Sequence, residues 1–382
     1  MKKLTYTSLL ALALTGCGGS DGGSESKPSS SVNAAYGSIS QLDESNQRIT
    51  VNGQSFAVNS IQLGNNSLSF DELENNVTVK VKTATRFGAA VQVDPTLVGQ
   101  VTSIDTESNT LVVNGIHLHF TNLSRHIQLN DWVMVSSLPT ANAGYHVLSV
   151  VKLDTAPHAG EIEGLVANLT KSTFTIGATK INYANATIQE GLSLHNALWV
   201  EVDGFYEPTS REFRANYISR ADLSDVTGDS EIEGVITWVA NDYSSFDVNY
   251  RVRFAVNAAT DFDDDGTKTD LRPGRLVEVE SSQSGDTRMA TEVEFEDWDF
   301  DDMDDAWDTL EFERTGIIEE FESGNTTTVL LKSGMSNIVL TLDRMTEIED
   351  GPLHNLFGRE VEVEGIKIGE TFLAREIEAS DD

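Results

Sequence analysis

The chain has 382 residues, 61 of them acidic against 26 basic, for a formal net charge of −35. Phosphate-backbone binding depends on clustered Lys and Arg that release counterions; no such cluster is present, so no nucleic-acid partner is expected. The same charge would repel the body from an anionic membrane surface, and it makes divalent cations the natural small counterions. With Cys17 as the one cysteine, no intrachain disulfide can form.

In chain order, residues 1–16 read as a signal peptide. Lys2 and Lys3 form its positive start, and the apolar run from Leu9 to Leu14 is too short to span a membrane. Leu14-Thr15-Gly16-Cys17 resembles the lipobox of bacterial lipoproteins, which implies cleavage before Cys17 and acylation of that cysteine; the alternative is an ordinary secretory signal. Several acyl chains, at ~0.8 kcal/mol per buried methylene, would hold the protein stably on a bilayer. Gly18, not an aspartate, follows the cysteine. By resemblance to the enterobacterial sorting pattern, that implies lipid anchoring at the outer membrane, on its periplasmic or surface face. Residues 17–34, rich in Gly, Ser, Asp, Glu and Pro, read as the lipidated cysteine and a flexible tether.

Beyond the tether the chain repeats itself. Segments open at Gly37-Ser38-Ile39, Gly99-Gln100-Val101, Gly164-Leu165-Val166, Gly234-Val235-Ile236 and Gly316-Ile317-Ile318, at spacings of roughly 60 to 80 residues. Short alternating strands ending in Asn-Gly follow two of these openings, Ile49 to Gly53 and Leu111 to Gly115; Asn-Gly between apolar runs is the strongest short hairpin signal. A second period-two strand comes next: Val77 to Val81, Trp132 to Val135, Trp199 to Val202, Leu276 to Val279 and Val361 to Val363. The segments close on strands such as Ala290 to Phe295 and Ala374 to Glu378. The spacing suits small barrels or sandwiches better than solenoid repeats, whose units run about 20 to 50 residues.

The opening Gly-x-Val/Ile, the Val361-Glu362-Val363-Glu364-Gly365 and Val200-Glu201-Val202-Asp203-Gly204 strands and the closing Ala-x-Glu-Ile/Val-Glu together resemble a family of domains of unknown function, number 5666. The resemblance covers most of residues 35–380 and is weakest in the first unit. It implies tandem OB-like barrels carried by bacterial lipoproteins, with no catalytic residues to transfer. The expected architecture is all-β: about five small OB-like β-barrels at 35–96, 97–157, 160–223, 230–296 and 313–380, with an acidic aromatic linker at 297–312.

Three features are candidate sites. Asp261-Phe262-Asp263-Asp264-Asp265-Gly266 resembles the opening of a calcium loop, with Asp261, Asp263 and Asp265 at the first, third and fifth positions, the Thr267 carbonyl at the seventh and Asp270 as a further carboxylate. The twelfth position is Arg272, not a bidentate glutamate. Related stretches, Thr187 to Gly191 and Thr346 to Gly351, occupy the same place in two other units, which favours a structural turn over a Ca²⁺ site. The linker holds Trp298, Phe300 and Trp307 among carboxylates, a composition suited to docking or partner contact. His117 and His119 alternate on one strand face, as a transition metal could use or as solvent-facing residues of an edge strand.

No Gly-x-Ser-x-Gly elbow, HExxH or phosphate-cradling loop is present. The expectation is therefore a non-catalytic envelope lipoprotein that binds a protein or glycan, with Trp132, Trp199, Trp238, Trp298 and Trp307 marking inter-unit grooves. The alternatives are a calcium-stiffened structural protein and an enzyme of unrecognised type.

Overall fold

The computed structural model describes residues 32–380 apart from 85–87, 264–265, 286, 297–310, 322–327, 335, 343–345, 350 and 369–370. Cys17, Asp265, Trp298, Phe300 and Trp307 lie outside the described residues. Residues Val32–Asp382 form one compact unit; its described residues are all-β, with strands in three sheets and, as helical elements, short 3-10 turns.

The first segment has five main strands, Ala34–Asp43, Arg48–Val51, Gln54–Leu63, Thr78–Ala84 and Gly88–Val93. The first pairs antiparallel with the second and the second with the third. The third runs parallel to the fifth, the fifth antiparallel to the fourth, and the fourth antiparallel to the first, so the ladder returns to its starting strand. Apolar residues of these strands, among them Ile39, Val51, Val79 and Val91, converge inside the ring.

The fourth segment (Ser230–Val239, Ser245–Val248, Val252–Ala255, Leu276–Ser284, Thr287–Phe295) repeats this order of pairings. So does the fifth (Glu311–Glu320, Thr328–Ser333, Ser336–Thr341, Glu360–Ile368, Thr371–Ala379), whose first strand begins inside the stretch read as linker. In the third (Gly160–Leu165, Thr173–Ile176, Thr179–Asn182, Trp199–Glu207, Glu212–Arg220) a single bridge, Ala167 to Thr175, joins the first two strands. The second (Leu97–Asp105, Thr110–Val113, Ile116–His119, Trp132–Pro139, Tyr145–Lys152) keeps the order, but among the described residues its third and fifth strands do not pair with each other.

Three of the five opening glycines share a cause, while Gly164 lies against Ile176 and Gly316 against the Lys332 backbone. Gly37, Gly99 and Gly234 each lie beneath the asparagine of the following hairpin turn, and a Cβ on any of them would overlap Asn52, Asn114 or Asn249. Those asparagines take positive φ (49°, 52° and 56°), a conformation Asn tolerates, and fold their amides back onto the first strand. Asn114 Nδ2 donates to Val98 O at 2.9 Å and Asn249 Oδ1 accepts from Val235 N at 2.9 Å.

Segments also join edge to edge. The first strands of the first and fourth pair parallel, Ala34 with Ser230 to Tyr36 with Ile232. Those of the second and third pair antiparallel at Val98 with Glu161 and Leu97 with Ile162.

Candidate binding surfaces

Where the first four segments meet, a charged junction is buried. Arg251, in the turn after Asn249, donates to Tyr36 Oη at 2.8 Å and pairs with Asp94 at 2.9 Å and Glu163 at 3.6 Å. Lys80 pairs with the other Asp94 oxygen at 3.0 Å, and the Trp199 indole donates to Glu163. Burial alone would push the Asp94 carboxyl up, but Arg251 and Lys80 overcome it and hold it at about 2. The cavity between Tyr36, Thr96, Ser137, Glu163 and Arg251 measures about 20 Å³, room for one water and for no larger ligand. The junction is thus a clamp between segments.

A second arrangement recurs on the last three segments, where carboxylates face carboxylates across neighbouring strands. In the fourth, Glu231 stands opposite Glu280 and Glu233 opposite Glu278 on one side of the fourth strand. On its other side Glu278 stands opposite Glu294 and Glu280 opposite Glu292. In the fifth, Glu313 faces Glu364, while Glu362 and Glu364 face Glu378 and Glu376. In the third, Glu161 faces Asp203 and Glu163 faces Glu201. Period-two geometry puts these side chains on one face, so each segment presents a ladder of acids.

Proton affinities follow. Burial, a hydrogen bond shared with Glu231 and the charges of Glu231, Glu294 and Glu233 push Glu278 up to about 11. Burial with neighbouring acids raises Glu294 to about 6, and Glu201, Glu364 and Glu376 each to about 7. Two groups, Glu161 with Glu201 and Asp203, and Glu349 with Glu376 and Glu378, bring carboxylate oxygens within 4.8 Å of one another. Such oxygens could hold a hard cation such as Ca²⁺.

The acidic stretch opening at Asp261 falls into a shared structural element. Asp261–Phe262 forms a two-residue strand running parallel to the segment's last strand, as do Thr187–Ile188 and Glu347–Ile348 in their segments. Thr260 and Thr346 anchor this element alike, donating to Ala290 O at 2.9 Å and Ala374 O at 2.8 Å. Asp263 caps a turn through its carbonyl, which accepts from Gly266 N at 2.9 Å. Asp270 Oδ2 accepts from Thr267 N at 2.8 Å and from its hydroxyl at 2.9 Å. Neither of the two acidic groups above includes Asp261, Asp263 or Asp270.

Trp132 and Trp199 plug inter-segment contacts, whereas Trp238, though buried, also borders an open cleft of about 180 Å³ with Asn241, Phe312, Glu313 and Glu364. Trp199 stacks on Tyr250 of the next segment at 5.1 Å, and Trp238 is buried among residues of several segments with Arg253 over its ring. Trp132 packs against the first segment's core. His117 and His119 share the exposed face of a strand that pairs on one side only. His119 also borders an open cleft of about 400 Å³, where the second segment's third and fifth strands do not pair with each other, with Asn76, Phe120, Asn122, Tyr145 and His146. Sequence reasoning missed the junction and the carboxylate groups. The alternating glutamates were visible, but their strand-to-strand register was not.

The family model for a domain of unknown function, DUF5666, matches residues 163–219, 233–294 and 315–378, so the chain carries that family's domain three times in tandem. These are the three segments that bear the ladders. No curated protein matches the chain. A solved multidomain protein with nucleic acid binding domains from Streptococcus pneumoniae TIGR4 is similar at 11% identity, over 56% of this chain and 72% of that one, with a TM-score of 0.15.

Proposed function

We propose that the protein is a non-catalytic cell-envelope lipoprotein, held at the outer membrane through an acylated Cys17. Its tandem OB-like barrels form a binding and scaffold module for a protein partner. The order of pairings, first-second-third-fifth-fourth and back to first, supports the barrel reading. The observation that carries the binding reading is the carboxylate register, Glu233 with Glu278 and Glu278 with Glu294, repeated in kind in the fifth segment. Glu278 keeps its proton at neutral pH because burial and the acids crowded around it raise its proton affinity. Like charges directly opposite one another destabilise a sheet, and a cationic occupant would relieve that crowding and let Glu278 ionise. A partner segment rich in Lys and Arg supplies it and would approach quickly under the field of the whole body.

The test is binding of a lysine-rich peptide of about ten residues, followed against salt. Binding should weaken at least tenfold in Glu278→Gln/Glu280→Gln/Glu362→Gln/Glu364→Gln. It should hardly change when the exposed Glu44, Glu107, Asp154 and Glu190 are neutralised instead. Equal losses in the two variants would mean diffuse charge attraction and defeat the proposal.

A second reading, calcium stiffening, has its own support in Glu161, Glu201 and Asp203. Thermal unfolding in EDTA, Mg²⁺ and ~1 mM Ca²⁺ separates the two. A ligand at ten times its Kd stabilises by ~1.4 kcal/mol. A calcium-specific shift lost in Glu201→Gln places the ion at the carboxylate group, one lost in Asp263→Asn places it in the loop, and identical melts discard the reading.

A further inference from the structure

One surface position behaves consistently through the chain until its last segment. The residue after each opening glycine points out of its own ring. It is Ser38 in the first segment and Gln100 in the second, both polar. In the third and fourth it is apolar and covered. Leu165 is 7% exposed and Val235 0%, and both belong to the cluster formed with Leu138, Trp199 and Tyr250 from three different segments. In the fifth segment the position is Ile317, apolar like Leu165 and Val235 yet 42% exposed.

Ile317 does not stand alone. Phe321, one residue past the end of the same strand, is 42% exposed, and Val339, on the segment's third strand, is 40% exposed. Leu330, between them, stands opposite Glu319 on one side and Val339 on the other. The segment's attachment to the rest of the molecule uses its other end: Ile366 and Leu373 enter the inter-segment cluster, and Arg375 pairs with Asp247 at 3.1 Å. Within the apolar patch sits one ion pair, Lys332 with Glu319 at 2.6 Å, next to Ile317 through its register with Lys332.

We infer that this face of the fifth segment is a self-association surface, covered in solution by the same face of a second copy of the chain. The position is continuous in kind with the interface already built inside the molecule, where its apolar occupants pack against other segments of the same architecture. A two-fold contact requires a self-complementary patch. Apolar residues around one Glu and one Lys meet that requirement, because each copy can offer Glu319 to the partner copy's Lys332.

The test uses the chain from residue 18 onward, which keeps every described residue and omits the lipid. Sedimentation across about 1 to 100 µM should show a monomer–dimer equilibrium that strengthens from about 0.05 to 0.5 M salt, as screening reduces repulsion between two acidic bodies. Ile317→Lys/Val339→Lys should weaken the dimer at least tenfold with an unchanged melting profile. Lys332→Glu should weaken it too, and Glu319→Lys/Lys332→Glu should restore it. A monomer at every concentration and salt overturns the proposal, and so does a dimer indifferent to both sets of substitutions.

Discussion

Lys80 in the first segment and Glu278 in the fourth occupy the same place in the fold, one residue past the valine that faces the opening glycine. Their surroundings are opposite. Lys80 lies beside Asp94, which also holds Arg251, so each charge has a partner. Glu278 lies between Glu233 and Glu294 and is pushed up to about 11 by burial and by the acids around it. The backbone is indifferent to the sign of the charge it presents. The first arrangement joins segments through paired charges; the second also touches a seam, through Glu233 with Ser38, but it crowds acids around Glu278 with no cation opposite them, which points to the last three segments for binding.

The largest effect should come from breaking the junction. Arg251→Leu leaves Glu163 buried without its cation and Asp94 with Lys80 alone, and removing one partner of a buried pair costs about 3–5 kcal/mol. Chemical denaturation should show this loss in the transition that includes the first four segments. A loss under about 1 kcal/mol would mean that water reaches the junction and that the contrast with the ladders is false.

Packing at the opening glycines comes next. Gly99→Ala and Gly234→Ala force a methyl into Asn114 and Asn249, at about 1–3 kcal/mol each. Because the clash is with the asparagine side chain, Gly234→Ala should cost much less in an Asn249→Gly background, and a double-mutant cycle measures that coupling.

Smaller is the dependence on pH. Glu201, Glu364 and Glu376 are raised to about 7. Between about pH 4.5 and 7 the folded chain holds protons that the unfolded chain has released, so stability falls as pH rises through that window. Asp94, held at about 2, works the other way, and its contribution is lost as pH falls from about 4 towards 2. The melting temperature should therefore peak in mild acid. Glu364→Gln should raise it at pH 8 and leave it unchanged at pH 4.5, and a flat profile from pH 5 to 8 would refute the ladder electrostatics. The smallest effect belongs to His117→Ala and His119→Ala, expected within about 0.5 kcal/mol for exposed side chains.

Much of the fold was legible because it is local. Period-two alternation, Asn-Gly turns and the recurring glycine each act within about fifteen residues, and the parallel between Thr187, Thr260 and Thr346 placed the acidic stretch in a shared element before its pairing was known. Tyr36, Asp94, Glu163 and Arg251 could not be joined in the same way. Their contact depends on how segments pair at their edges, and no periodicity records that. The ladders fall between the two cases: Val361-Glu362-Val363-Glu364 shows that acids share a face, but only register shows acids opposite acids.

The parallel pairing of Ala34–Tyr36 with Ser230–Ile232 bears on how the protein is made. Ser38 and Glu233, which seal the same seam with a 2.9 Å hydrogen bond, are 195 residues apart. At synthesis rates of about 5–20 residues per second, the first segment waits about 10–40 s for its neighbouring strand to exist. Through that interval its opening strand presents bare backbone along one edge, the kind of template on which other chains pair. Export as an unfolded polypeptide, with folding begun only once residue 233 has crossed, would remove that exposure altogether.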